Sequence, residues 1–206
     1  MRKIFAAFGL SSLIAVWLGA APAFAGAPTD QTKQTVDKVF AIISDPNLKS
    51  PSKQQERRAQ LRQIIYPRFD FSEMAKRSLG PHWGKQSPQE QQEFVRVFTD
   101  LLEASYVDQI ESANGDKIVY GREQIDGDNA EVFTKVLTNK GEEVPITYKL
   151  HRVGSDWKVY DVVVEEISLV NNYRSQFNRI LANASFDDLL RRLQEKNPGS
   201  KASRRG

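Results

Sequence analysis

The chain reads as an α+β protein: a curved antiparallel sheet, built as a meander and covered on one face by several helices. Three observations predict this. Apolar residues recur at helical spacing as far as Asn114-Gly115, alternate from Asp116, and return to helical spacing after Ile167. Short turns, Asp126-Gly127-Asp128-Asn129, Asn139-Lys140-Gly141 and Gly154-Ser155-Asp156, separate the alternating runs. Connections that short join antiparallel neighbours. Finally, one strand face carries Lys149 and His151 and is at least partly wet, while the other is aliphatic and must be covered. The helices are the available cover.

The first 25 residues are expected to be removed. Arg2 and Lys3 precede an apolar run from Ile4 to Ala21, and Ala23-Phe24-Ala25 has small residues where a signal peptidase reads. Cleavage after Ala25 exports the protein, with residues 26–197 as a single domain and 198–206 as a disordered basic tail. The leader holds two of the 29 basic residues and none of the 26 acidic ones, so the mature charge is near neutral. That balance gives nucleic-acid binding no support. There is no cysteine, which excludes a lipid-anchored lipoprotein and leaves the fold to packing alone.

Val36, Val39, Phe40 and Ile43 mark a first helix that stops near Asp45-Pro46. Ser50-Pro51 reads as a cap with proline at the first helical position, opening a helix that carries Leu61, Ile64 and Ile65 inward and ends before Pro67. Asp70-Phe71-Ser72-Glu73 has capping-box spacing, and the short helix after it ends at Gly80. Ser87-Pro88-Gln89-Glu90 starts the longest helix, whose Phe94, Phe98, Leu101, Leu102 and Tyr106 share one face.

Lys117–Tyr120 is a short strand. Val132, Thr134 and Val136 then share one face of Ala130–Thr138. Val144, Ile146, Tyr148 and Leu150 alternate with Pro145, Thr147, Lys149 and His151, and a further strand covers Trp157–Val164. Glu165-Glu166 is read as a pair of surface or strand-end charges, which as strand neighbours would point to opposite faces. Leu169, Tyr173, Phe177, Ile180 and Leu181 resume the helical period, and Asp187-Asp188 open a last helix bearing Leu189, Leu190 and Leu193.

Chemistry is scarce. His82 and His151 share no metal-ligand spacing, and Asp126–Asn129 lacks the closing glutamate of a calcium loop. No Gly-x-Ser-x-Gly elbow, Gly-x-Gly-x-x-Gly fingerprint or phosphate loop occurs. No enzyme activity, metal or cofactor is expected.

Trp157-Lys158-Val159-Tyr160-Asp161-Val162, then Ile167-Ser168-Leu169 and Asn172-Tyr173-Arg174-Ser175-Gln176-Phe177, resemble the signature of the MlaC family of periplasmic phospholipid-binding proteins, the toluene-tolerance proteins. Tyr66-Pro67-Arg68-Phe69-Asp70-Phe71, Leu79-Gly80 to Trp83, and Phe94 to Tyr106 extend the resemblance over nearly the whole mature chain. Glu166 departs from it, since members often have glycine there.

The resemblance implies a soluble carrier that moves phospholipid between the outer and inner membranes and so maintains outer-membrane lipid asymmetry. It implies docking on an outer-membrane lipoprotein complex and on an inner-membrane ABC transporter with an MCE-domain subunit. A monomer is expected. Acyl chains would enter between sheet and helices. The expected lining is Val132, Val136, Ile146, Tyr148 and Leu150, extended by Tyr160, Val162 and Val164, with the alternate face Trp157, Val159 and Asp161 in competition. Phe98, Leu102 and Tyr106 would face them from the long helix and Phe177 from a later one. Arg174 is the candidate for a headgroup phosphate, against an ordinary helix-surface salt bridge. Two other readings stay open: a small enzyme of the ketosteroid-isomerase type with a carboxylate at its cavity floor, and an exported chaperone binding apolar peptides.

Overall fold

The computed structural model describes residues 27–196. The expected leader and the basic tail lie outside the described residues. Among the described residues are six α-helices and one five-stranded antiparallel sheet in the order β1-β2-β3-β4-β5.

The helices are α1 (Ala27–Ser44), α2 (Gln54–Ile65), α3 (Phe71–Leu79), α4 (Pro88–Ser112), α5 (Leu169–Leu181) and α6 (Phe186–Lys196). Their start signals act unequally. Ser87 and Glu90 form the complete capping box of α4, the Ser87 N–H donating to Glu90 at 2.7 Å and the Glu90 N–H to Ser87 Oγ at 3.3 Å. Asp70 caps α3 by accepting from the Glu73 N–H at 2.9 Å, but Glu73 does not reach back; it pairs with Arg77 at 2.8 Å. Ser50 makes no cap either. Its hydroxyl meets Ser52 Oγ at 2.9 Å, and Pro51–Lys53 form a 3₁₀ turn ahead of α2.

The strands are β1 (Lys117–Asp126), β2 (Asn129–Leu137), β3 (Glu143–Val153), β4 (Asp156–Val164) and β5 (Ile167–Ser168). β1 outruns the short strand expected at Lys117–Tyr120, because a bulge carries it past the glycine. Tyr120 pairs with Thr134 and Glu123 with Val132, leaving Gly121 and Arg122 opposite Phe133. A side chain at Gly121 would sit 3.2 Å from the Phe133 carbonyl oxygen, so the facing backbone would have to give by a few tenths of an ångström. The bulge shifts the alternation by one residue. Arg122 swings to the outer face, its guanidinium 4.2 Å from the Phe133 ring centroid, and Glu123 turns inward to hold Thr29 of α1.

A second bulge settles the competition on β4. Leu150 pairs with Val159 but Lys149 with Asp161, so Tyr160 is the extra residue. Trp157 and Val159 therefore share the inner face with Leu150, and beyond the bulge Val162 and Val164 share it with Tyr148 and Ile146. Tyr160 stands on the opposite side, edge-on to His151 at 5.7 Å and under the Arg77 guanidinium at 4.1 Å. Here the expected inward position of Tyr160 is corrected. His151, expected on the wetter face, lies at its covered margin, 2.9 Å from Asp70.

β5 was not foreseen as a strand. Val164 pairs with Ile167, and Glu165 and Glu166 make the two-residue turn between them at φ 48° and 70°. Both are exposed surface charges, and they sit in the turn itself.

The buried interior is in two parts. Met74, Ala75, Leu79, Phe94, Val97, Phe98, Leu101, Leu102, Val170, Tyr173, Phe177, Leu189, Leu190 and Leu193 form a helical core. Its rings lock together: Phe177 meets Phe94 at 5.6 Å and Phe98 at 5.7 Å, both edge-on. Ala130, Val132, Leu150, Trp157 and Val159 form a separate core on the sheet, with Phe69 bordering both.

Candidate binding site

α4 connects the two parts. Its first half is buried in the helical core, and Ser112 leads within a few residues into β1, the strand at the far edge of the sheet. Strands lie about 4.8 Å apart, so β1 is roughly 14 Å from β4. The ten residues after Leu102 rise about 15 Å, enough to cross that width. Tyr106 and Ile110 on this second half are half-buried, unlike Phe98 and Leu102 before them.

Polar contacts fasten α2 to this stretch. Arg57 Nε donates to Glu111 at 2.7 Å, Arg58 to Glu111 at 2.9 Å and to Asp108, and Arg62 and the Tyr66 hydroxyl to Glu103, the latter at 2.7 Å. Burial alone would raise both carboxyls. The hydrogen bonds and charges of Arg62, Tyr66 and Arg58 outweigh it at Glu103, those of Arg58 and Arg57 at Glu111, and both end below the usual glutamate value. By contrast, Leu61 is the one fully buried side chain of α2. α1 closes another side. Gln31 accepts from the Trp157 N–H at 2.9 Å, and Ala27 borders the sheet core.

Half-buried apolar side chains recur on the sheet's inner face, on α1, on α2 and on the second half of α4. Val36 and Phe40 of α1, Ile64 and Ile65 of α2, Tyr106 and Ile110, Ile118 and Tyr120 of β1, and Val136, Ile146, Tyr148, Val162 and Val164 all have this character. Tyr148 decides what it means. Burial pushes its phenol up to about 12, yet the residue is only half-buried. That combination is what a lining residue, rather than a member of a solid core, would show. Tyr106 is likewise pushed up to about 12, by burial first and then by Tyr173, its hydrogen-bond partner.

The expected lining residues divide by place. Val136, Ile146, Tyr148, Val162 and Val164 are half-buried on the sheet's inner face, Val132 and Leu150 are buried in the sheet core, and Tyr106 packs against the helical core. Phe98, Leu102 and Phe177 are packed in the helical core. Arg174 is engaged elsewhere: its Nε donates to the Arg77 carbonyl at 2.7 Å, and its stem covers Gly80. Sequence reasoning did not nominate Val36, Phe40, Ile64, Ile65, Ile110, Ile118 or Tyr120, although the helical spacing of Val36 and Phe40 was the available signal.

A family model for the MlaC protein matches residues 33–195. The chain belongs to the MlaC family. It is 23% identical over 168 residues to the intermembrane phospholipid transport system binding protein MlaC of Haemophilus influenzae, across 79% of this chain and 78% of that one. The toluene tolerance protein ttg2D of Pseudomonas putida is 29% identical over 119 residues, 57% of this chain and 55% of its own length. A phospholipid-binding protein from Ralstonia solanacearum, solved in complex with a phospholipid, matches the fold with a TM-score of 0.74 at 28% identity, over 84% of this chain and 97% of that one. Among the described residues no group of three histidines, cysteines, aspartates or glutamates is placed to hold a metal ion.

Proposed function

We propose that the chain is an exported phospholipid carrier. It holds acyl chains between the inner sheet face and α1, α2 and α4, and exchanges lipid with complexes in the outer and inner membranes. The observation that carries this reading is the divided interior. Here the large helical core and the smaller sheet core stay separate, and Tyr148, packed against the sheet core, is only half-buried. Membership of the MlaC family and the likeness to a structure with bound phospholipid support lipid as the occupant.

Magnitudes constrain how such a carrier works. Two tails with about 30 methylenes, at ~0.8 kcal/mol each, represent roughly 24 kcal/mol of transfer from water. Noncovalent affinities saturate near 18 to 21 kcal/mol, about the same scale, so lipid released into water is not the working step. The carrier takes tails from one apolar place to another, and the net driving force is small. Direction then comes from the membrane complexes on either side, and the carrier itself needs no hydrolysis.

Native mass spectrometry of protein from cells, followed by organic extraction, tests the reading. A bound mass of one or two phospholipids is expected, and Ile146→Glu, which puts a charge opposite Thr134 and Val164, is expected to arrive empty with an unchanged circular dichroism spectrum. Empty wild-type protein with small-molecule turnover would select an enzyme instead, and peptide adducts a chaperone.

A further inference from the structure

The Tyr120 hydroxyl is buried and has no hydrogen-bond partner. The other such atom among the described residues, Ser78 Oγ, has a packing explanation: Ser78 is small and fully buried on α3, whose closest helical neighbour is α5. Tyr120 has no such explanation. Phenylalanine would supply the same ring without burying an unsatisfied donor.

The surroundings of the Tyr120 residue run from apolar to charged. Tyr120 is on the inner face opposite Thr134, whose own hydroxyl is committed to the Ile146 carbonyl at 2.9 Å. Tyr148 lies on the same face one strand further in. On the other side, Lys33 Nζ is 5.8 Å from the Tyr120 ring centroid and 2.6 Å from Asp37, and that ion pair is in solvent. α1 is tied to the β1 side at its two ends, by Thr29 to Glu123 at 2.6 Å and by Ser44 to Asn114 at 3.2 Å. Between those ties the seam is held by half-buried side chains.

A diacyl glycerophospholipid has the same order: tails, then ester carbonyls that only accept hydrogen bonds, then a charged phosphate. Resting on the carrier reading above, we infer that the Tyr120 hydroxyl donates to an acyl-ester carbonyl of the ligand, which sets the glycerol at the α1–β1 seam and the phosphate beside Lys33. The residue is a donor matched to an acceptor-only group, and burial of the hydroxyl is then compensated in the loaded protein.

The test compares wild type with Tyr120→Phe after delipidation. Each is reloaded from vesicles of diester phosphatidylethanolamine or of its dialkyl ether analogue, and retained lipid is read by native mass spectrometry. Loss of one neutral hydrogen bond predicts that Tyr120→Phe retains the diester about three- to tenfold less than wild type. The ether lipid, lacking the carbonyl, is retained equally by both, and the empty variant melts no lower than empty wild type. Equal retention of the diester overturns the inference. So does a parallel loss of both lipids with a lower melting temperature, the mark of a purely structural tyrosine. Wild type that takes up neither lipid overturns the carrier reading itself, and this inference with it.

Discussion

Glu165 and Glu166 show how one local conformation can run against residue preference. Both adopt positive φ, 48° and 70°, so that β4 turns into β5 in two residues. Such primed turns favour Asn-Gly because a Cβ crowds the backbone in the left-handed region. Two glutamates place two negative charges side by side as well. Glu166→Gly is expected to stabilise the protein by about 1 kcal/mol, read as a higher urea midpoint at unchanged slope. A lower midpoint would show that the Glu166 side chain contributes something the turn geometry does not reveal. Asp161, just upstream, is the counterweight. It is buried and accepts from Ser168 Oγ at 2.6 Å and the Val170 N–H at 3.1 Å, fixing how α5 leaves the sheet.

Among the elements, α2 is held differently from the rest. It contributes one fully buried side chain and is fastened to α4 mainly by Arg57, Arg58 and Arg62 on Glu103, Asp108 and Glu111. Glu103 and Glu111 titrate below their ordinary value in the folded protein. A carboxyl depressed by folding contributes stability above its unfolded value, about 4.3, and loses it as the pH falls through the folded one. Acidification below about 4 therefore loosens α2 before the helical core, whose contacts do not titrate. Glu111→Gln, which strands two partly buried guanidinium groups, is expected to cost about 2 kcal/mol and to flatten the acid limb of a stability–pH curve. An unchanged acid limb would mean that packing, not charge, holds this helix.

Element type was legible where one period ran without interruption. α4 carried both halves of its start signal, and β2 and β3 alternate cleanly, so both were readable. Sequence failed where the chain changes phase. Gly121 looked like a strand end but is a bulge. Tyr160 took its face from an alternation that its own bulge breaks. β5 is two residues long and begins after a turn whose residues carry no turn signature. Bulges and primed turns depend on the partner strand, which one-dimensional periodicity does not contain. The site was legible only in part for a related reason. Apolar spacing identifies which side chains turn inward, but a packed interior and a lined hollow leave the same pattern. Phe98 and Ile146 read alike in sequence; only their exposures separate them, with Phe98 wholly covered and Ile146 not.

At the scale of the whole molecule, the divided interior apportions rigidity unevenly. The helical core is complete in itself, closed by its own rings and leucines. The sheet core has five buried members and is bordered by the half-buried Tyr120, Tyr148 and Val162. Removing an occupant takes contacts from the second and almost none from the first. Amide protons of α3, α5 and α6 are thus expected to exchange with deuterium at the same rate in stripped and loaded protein, while those of α1 and the middle of β1–β3 exchange faster once stripped. Uniform acceleration over the whole chain would contradict this. The bundle would then serve as a fixed handle against which the other lobe breathes, so that cargo is let go by a local loosening that never puts the global fold at risk.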